Sequence, residues 1–99
     1  MGIAVIKCHD ATISSEICEE MWVPVSPHNE FGLQGVDIIS NGSASHHELR
    51  KLKFRLQLLQ RASMTHGGVY MYSNLKGCDG GRLLFDGAST ISMNGNVLA

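Results

Sequence analysis

The chain has 99 residues, of which 43% are hydrophobic and 17% charged, and its formal net charge is −1. This length fits one small domain, and the hydrophobic share excludes intrinsic disorder. The near-neutral charge argues against nucleic acid or a membrane surface as a partner. Because the charged share is below the ~25% usual in soluble domains, we expect part of the apolar surface to be covered by something outside this chain.

The three cysteines, Cys8, Cys18 and Cys78, are an odd number and have no C-x-x-C spacing. This pattern disfavours a disulfide framework and fits a reducing compartment. The apolar run near the start of the chain, residues 3–6, is too short for a signal peptide or a membrane span. We therefore predict a cytoplasmic protein, cytosolic or nuclear, without a membrane partner.

The first predicted elements are two strands and a short helix. Residues 3–8 form a β-branched apolar run typical of a buried strand, and residues 11–18 alternate between two faces as a strand does. Pro27 can open a helix that runs to Leu33, and Gly35 ends it.

A strand, a loop and a long helix follow. The nearly continuous apolar run at 36–40 predicts a strand buried on both faces, and residues 41–43 (NGS) predict a loop. Ser45 and Glu48 have the spacing of a capping box, in which each side chain satisfies a free backbone N–H. The spacing predicts a helix from there to about Thr65.

This long helix is predicted to be amphipathic. One face carries small and apolar residues at three- and four-residue spacing, namely Leu49, Leu52, Leu56, Leu59 and Ala62 or Ser63. The helix also carries most of the basic residues: Arg50, Lys51, Lys53, Arg55 and Arg61. We interpret these basic residues as a solvated face opposite the leucines, with a subunit or domain contact as the alternative.

The end of the chain is predicted to be mainly strands and turns. Residues 69–74 read as a strand, residues 76–81 as a glycine-rich turn, and residues 82–85 and 89–93 as a strand pair. Asn94-Gly95 is a strong hairpin signal. The resulting order, β-β-α-β-α-β-β-β, is an α/β (α+β) fold in which helical crossovers imply parallel pairing and the late strands are antiparallel.

Cys18 is the main candidate for chemistry. It ends an alternating strand and is followed by Glu19 and Glu20. A strand-to-turn junction can expose a side chain beside free backbone N–H groups, as a nucleophilic cysteine requires. The alternative is a buried structural thiol. Trp22 and Phe31 are expected to pack under the loop after Cys18, or to form a wall of a substrate site.

No cofactor site is predicted from the remaining motifs. The histidines and cysteines lack paired metal-ligand spacing, so we predict no metal site. Residues 76–81 lack the G-K-[ST] sequence of a phosphate-binding loop. The net charge of −1 predicts no nucleic-acid partner.

The segment around Cys18 resembles the nucleophile segment of the nitrilase (carbon–nitrogen hydrolase) superfamily, and most closely that of the glutaminase domains of glutamine-dependent NAD synthetases. Further segments agree in order and spacing over nearly the whole chain after about Asp10. The matching segments are SEICEEMW (15–22), PVSPH (24–28), GLQGVDII (32–39), NGSASH (41–46), LRK (49–51), NLKGCDG (74–80), FDG (85–87) and MNG (93–95). The KGCDG segment is specific to these glutaminase domains, since other nitrilases lack it.

The resemblance implies part of an α-β-β-α sandwich and amide hydrolysis through a Glu-Lys-Cys triad. Cys18 falls on the nucleophile, which attacks the glutamine side-chain amide and forms a thioester with release of ammonia. Glu19 falls where the family contacts the substrate glutamine, with its backbone N–H near the oxyanion. Ser45 falls where a serine binds the amino-acid head group. A basic residue binds the carboxylate, for which Lys51 aligns best and Arg50 is adjacent.

The resemblance also implies what lies outside this chain. In the family the catalytic Glu and Lys lie far upstream of the cysteine, whereas 17 residues precede Cys18 here, and Lys7 and Glu16 are too near in sequence to be their counterparts. The sequence holds no phosphate loop of the synthetase domain, where ATP and Mg would act on deamido-NAD. We therefore expect residues 1–99 to be part of a glutaminase domain and inactive alone, with the synthetase domain as partner and a homo-oligomer when complete.

Two other functions remain open from the sequence. One is a carbon–nitrogen hydrolase that acts alone as an amidase. The other is a truncated, non-catalytic protein that pairs with full-length subunits through an exposed strand edge and apolar surface.

Overall fold

The computed structural model describes residues 3–99, which form a six-stranded sheet, a two-stranded sheet and three helical segments. The strands are β1 (Val5–Lys7), β2 (Thr12–Ile17), β3 (Ile38–Ser43), β4 (Val69–Asn74), β5 (Lys76–Asp79), β6 (Leu83–Asp86), β7 (Thr90–Met93) and β8 (Asn96–Val97). The helical segments are a 3-10 helix (Cys18–Trp22), α1 (Pro27–Leu33) and α2 (Lys51–His66). The expected order of strands and helices is confirmed up to β4, and the end of the chain holds more strands than expected.

The large sheet has the order β1-β2-β3-β4-β7-β8. Strands β2, β3 and β4 are parallel, and α1 and α2 are the crossovers between them. Strands β1, β7 and β8 pair antiparallel at the two sides. The parallel pairing predicted from the helical crossovers and the antiparallel pairing of the late strands are both confirmed.

One face of the sheet is covered by the helices. Phe31 of α1 and Leu59 of α2 pack with Ile39 and Tyr70 of the sheet in one hydrophobic core. Other apolar side chains of the sheet remain exposed, among them Ile17, Met71, Ile91 and Met93. Parallel strands are normally covered on both faces, so part of the surplus of apolar residues expected from the composition lies on this open face. Other apolar side chains, such as Leu33 and Leu49, are exposed outside the sheet.

Tertiary pairing overrides the loop predicted for residues 41–43. Asn41 pairs with Glu16 on one side and with Tyr72 on the other, so it lies inside β3. Gly42 and Ser43 continue the strand to its end. The Asn-Gly pair favours a turn locally, but hydrogen bonding to strands on both sides decides the conformation.

The predicted capping box is wrong, and α2 begins at Lys51 rather than at Ser45. The Ser45 backbone N–H donates to Asn74 Oδ1 at 2.8 Å. The Glu48 carboxylate accepts from His46 Nε2 at 2.6 Å instead of reaching back to the chain. Both residues of the predicted box are therefore engaged in other contacts, and Arg50 precedes the helix in a left-handed conformation with φ 68°.

The buried face of α2 differs from the predicted leucine stripe. It consists of Arg55, Leu59, Ala62 and Ser63, whereas Leu49 and Leu52 are exposed. The interpretation of all basic residues as a solvated face is wrong for Arg55, whose side chain is fully buried. This cation is tolerated because it is paired and hydrogen-bonded inside the protein.

The predicted glycine-rich turn at 76–81 is partly a strand. β5 pairs antiparallel with β6 from Lys76 opposite Asp86 to Asp79 opposite Leu83. The predicted pairing of 82–85 with 89–93 is therefore wrong, and β7 pairs with β4 instead. A strand pattern predicts a strand but not its partner, which depends on the register of distant segments.

The two ends of the sheet differ in how well they were predicted. The Asn94-Gly95 hairpin between β7 and β8 is confirmed, since both residues have positive φ, 49° and 83°, as a type I′ turn requires. β1 is shorter than the predicted strand 3–8, and it is an exposed edge rather than a buried strand, with Ile6 exposed.

Candidate functional site

Cys18 lies at the junction between β2 and the 3-10 helix. Its φ of 48° is in the left-handed region, which a non-glycine residue adopts only when the surrounding structure imposes it. The Ile17 backbone N–H donates to the Glu20 carboxylate at 2.6 Å, which fixes the start of this turn. The Asn41 amide donates to the Cys18 carbonyl oxygen at 3.4 Å. This sharp turn exposes a partly buried thiol, as the strand-to-turn pattern predicts.

A cavity of about 370 Å³ opens beside Cys18. Its lining combines residues from three places in the sequence: Cys18, Glu19 and Trp22 of the 3-10 helix, residues 44–46, and Lys51. The structure thus brings together all four residues proposed for the site from the sequence. Trp22 forms part of the wall, while Phe31 lies in the hydrophobic core.

Lys51 and Arg50 differ in their relation to this cavity. Lys51 begins α2, lines the cavity and is only partly exposed. Arg50 is exposed and is not among the residues that line the cavity. The geometry therefore favours Lys51 over Arg50 as the cation that faces a ligand.

The Lys51 ammonium lies 3.5 Å from the Glu48 carboxylate, which also accepts from His46. The hydrogen bond from His46 and the positive charge of Lys51 lower the pKa of Glu48 below its usual value. Both contacts are at least partly exposed to solvent, so they contribute little to stability. His46 and Lys51 give the cavity polar and charged lining, and Trp22 gives it aromatic lining.

Ser45 is held by a buried polar network that the sequence did not predict. The Arg55 guanidinium donates to Ser45 Oγ at 3.3 Å and to Asp86 at 3.0 Å. Asn74 binds both the N–H and the carbonyl oxygen of Ser45. The helical spacing does indicate that Arg55 is buried, since it lies four residues before Leu59 on the face that α2 buries.

A second buried network lies on the helix-covered side of β2, next to Cys18. The Glu16 carboxylate accepts from the backbone N–H and the ring of His28 and from the Tyr70 hydroxyl. The Tyr70 hydroxyl in turn accepts from Asn41, whose amide also reaches the Cys18 carbonyl. A chain of polar contacts therefore connects Glu16 to the backbone of Cys18.

This network sets the protonation of its members. Burial raises the pKa of Glu16, but the hydrogen bonds from His28 and Tyr70 outweigh it and bring the pKa below its usual value. Burial and the nearby Glu16 charge raise the pKa of Tyr70, so its hydroxyl stays protonated and donates. Glu16 is fully engaged in structural contacts, and Lys7 lies on the edge strand β1. Neither residue is among those that line the cavity of Cys18.

The other thiols and the histidines form no comparable site. Cys8 and Cys78 are exposed free cysteines. Within residues 3–99, no three His, Cys, Asp or Glu side chains are grouped so that they could hold a metal ion. In the same described part of the chain, neither α-helix has the length and hydropathy that crossing a membrane requires.

The family model described as carbon–nitrogen hydrolase matches residues 1–99. The chain belongs to the carbon–nitrogen hydrolase family. It is 53% identical over 98 residues to a glutamine-dependent NAD(+) synthetase of Macaca fascicularis. The match covers 99% of this chain but 14% of that relative, so the chain spans a small part of its length. The resemblance read from the segments around Cys18 is confirmed.

Solved structures agree with this assignment. The glutamine-dependent NAD+ synthetase of Acinetobacter baumannii, in complex with ADP, superposes with a TM-score of 0.90 at 24% identity, over 100% of this chain and 19% of that one. An amidase of the nitrilase superfamily from Nesterenkonia AN1 has a TM-score of 0.84 at 20% identity, over 100% of this chain and 37% of the amidase. At these identities the likeness shows the fold alone, and it confirms the expected nitrilase-type α/β fold.

Proposed function

We propose that this carbon–nitrogen hydrolase chain is the nucleophile-bearing part of the glutaminase domain of a glutamine-dependent NAD synthetase. The observation that carries the proposal is the shared cavity of Cys18, Glu19, Ser45 and Lys51. These residues come from separate segments, yet they surround one space with a nucleophile, a backbone donor, a hydroxyl and a cation. That combination suits an amino acid with a side-chain amide.

The proposed reaction begins with attack of the Cys18 sulfur on the side-chain carbonyl carbon of glutamine. The C–N bond breaks, ammonia leaves and the acyl group stays on sulfur as a thioester. Water then cleaves the thioester to glutamate and restores the thiol. The Glu19 backbone N–H lies at the start of the 3-10 helix, where it can stabilise the oxyanion.

The head group of glutamine is proposed to bind at the other end of the cavity. The Lys51 ammonium supplies positive charge for the α-carboxylate, and the Ser45 hydroxyl supplies a hydrogen bond. Glu19 also carries a carboxylate that can attract the α-ammonium of the substrate. The three groups would therefore select an amino acid over a simple amide.

The remaining steps are proposed to depend on parts outside this chain. A glutamate and a lysine of the same domain would transfer protons at Cys18. A second, shallower cavity of about 620 Å³ also reaches Cys18, from the side of Gly42 and Ser73, and leaves room for such groups. The second sheet of the sandwich would cover the open apolar face. Ammonia would pass to a synthetase domain that uses ATP and Mg²⁺ to amidate deamido-NAD.

An amidase that acts alone is supported less well. The amidase neighbour is 20% identical to this chain, and an identity that low supports a shared fold but not a shared substrate. The relative at 53% identity is named a glutamine-dependent NAD(+) synthetase. The exposed open face would also allow a non-catalytic pairing protein, but such a protein would have no need for the strained Cys18 turn.

The proposal is tested on the endogenous protein that carries this sequence. Affinity capture and intact mass spectrometry should give a species several times heavier than 10.8 kDa. In that species Cys18→Ser should abolish NAD formation supported by glutamine but not that supported by ammonia. Cys78→Ser, at an exposed thiol outside the cavity, is the matched control. A protein of 10.8 kDa, or retained use of glutamine by Cys18→Ser, would contradict the proposal.

A further inference from the structure

We propose that Arg55 is a positioning residue that holds the Ser45 hydroxyl as a hydrogen-bond donor toward the carboxylate of an amino-acid ligand in the Cys18 cavity. The inference rests on the proposed function, because it assigns a role to one contact of the proposed glutamine site. It assigns to the buried Arg55, which does not line the cavity, a role in ligand recognition.

Arg55 is anchored before it reaches Ser45. Its side chain has no exposed surface, and Nη1 donates to Asp86 Oδ1 at 3.0 Å and to the Gly87 carbonyl at 3.4 Å. The guanidinium also lies 5.6 Å from the centre of the Tyr72 ring. Removing a charge from water is costly, and one ion pair alone rarely compensates for it. The Nη2 group of Arg55 therefore also requires a hydrogen-bond acceptor inside the protein.

Arg55 Nη2 donates to two atoms of Ser45, to Oγ at 3.3 Å and to the carbonyl oxygen at 3.5 Å. The backbone of Ser45 is fixed independently by Asn74, which accepts from its N–H at 2.8 Å and donates to its carbonyl at 3.1 Å. Asn74 also donates to Asp86 and Gly87, the residues that anchor Arg55. The network therefore determines both where Ser45 lies and what its hydroxyl can do.

The chemistry of the guanidinium sets the direction of the Ser45 hydrogen bond. Arginine only donates, so Ser45 Oγ accepts from it and the hydroxyl proton must point to another acceptor. The positive charge of Arg55 next to Oγ disfavours an ammonium group as the ligand partner. A carboxylate suits both the hydroxyl donor and the Lys51 ammonium in the same cavity. Ser45 thus recognises the carboxylate end of the ligand.

The test measures how L-glutamine protects Cys18 from iodoacetamide in the endogenous protein that carries this sequence. Site-resolved mass spectrometry follows Cys18, and the exposed Cys8 and Cys78 serve as internal references. Arg55→Lys keeps a charge for Asp86 but loses the fork that reaches two acceptors. It should raise the half-protecting glutamine concentration about tenfold, the effect of losing one hydrogen bond to a charged group. Arg61→Lys, the same change at an exposed position of α2, should leave it unchanged.

A double-mutant cycle separates positioning from mere structural support. Ser45→Ala should also raise the half-protecting concentration about tenfold, and adding Arg55→Lys to it should cause no further change. Additive effects would overturn the proposal, because Arg55 would then act without Ser45. Equal protection in Arg55→Lys and Arg61→Lys would overturn it while leaving the proposed function intact. No protection of the unaltered chain by glutamine would overturn both.

A second measurement applies even if Arg55→Lys does not fold, which circular dichroism reports. 4-Aminobutanamide keeps the amide and the amine of glutamine but lacks the carboxylate. Ser45→Ala should weaken protection by L-glutamine about tenfold and leave protection by 4-aminobutanamide unchanged. An equal loss for both ligands would mean that Ser45 does not donate to the carboxylate, and would overturn the proposal.

Discussion

Glu16 and His28 form a buried pair that joins the end of β2 to the first turn of α1. The His28 backbone N–H donates to Glu16 Oε2 at 2.9 Å, and the His28 ring Nδ1 lies 3.0 Å from Oε1. Because an ionised carboxylate only accepts, the ring proton must be on Nδ1. The pair closes the segment that contains Cys18 and the 3-10 helix, so it fixes the two ends of the turn that presents the thiol.

Replacing Glu16 should therefore destabilise the fold. In Glu16→Gln one end of the side chain becomes an amide donor, which must face the N–H or ring of His28 or the Tyr70 hydroxyl. We expect a loss of about 2–3 kcal/mol in the free energy of unfolding, as for a buried donor left without its acceptor. Urea denaturation followed by circular dichroism measures it. Glu30→Gln, an exposed change on α1, should stay within about 0.5 kcal/mol, and similar losses for the two variants would contradict the expectation.

The same carboxylate should make stability depend on acidity. The pKa of Glu16 in the folded chain lies below its usual value of 4.5, so the unfolded chain binds a proton more readily. Its contribution is fully present above that value and is lost as the pH falls through the folded-state pKa. The difference in unfolding free energy between the unaltered chain and Glu16→Gln should shrink below about pH 4.5. A difference that stays constant down to pH 3 would show that folding does not lower the pKa of Glu16, and would contradict the expectation.

Local patterns in the sequence predicted most of the elements but few of their long-range contacts. Pro27 at the start of α1 and Asn94-Gly95 between β7 and β8 act through backbone geometry over a few residues, so they were predicted correctly. The extension of β3 through Asn41 and the pairing of β5 with β6 depend on distant partners. No local periodicity specifies those partners.

The candidate site shows the same division. The motifs around Cys18, Ser45 and Lys51 pointed to three residues that the fold places around one cavity. The prediction for α2 places Arg55 with the other basic residues on a solvated face opposite the leucines. Its burial depends on Asp86, which lies far along the chain, and charge pairing across that distance is visible only in the folded structure.

Gly68 is expected to be required for the start of β4. A Cβ atom at this position would lie 2.4 Å from the Asp37 carbonyl oxygen, which accepts the Val69 N–H at 2.8 Å. Gly68→Ala must therefore displace the backbone where β3 and β4 begin to pair. We expect a loss of roughly 1–3 kcal/mol, as in other overpacked interiors, measured by urea denaturation. Gly42→Ala, with no atom within 4 Å of the added carbon, is the matched control and should cost far less.

The isolated 99-residue chain should bind glutamine but release almost no ammonia from it. Glu16 is held by structural hydrogen bonds, and Lys51 is placed for the head group, so neither is free to move protons at Cys18. General acid–base catalysis contributes roughly 10²–10⁴-fold, and its loss should bring the rate to the level of Cys18→Ser. A glutamate dehydrogenase assay for ammonia makes this comparison. Turnover above Cys18→Ser that disappears in His46→Gln would contradict the expectation, and it would identify the histidine in the cavity as a base.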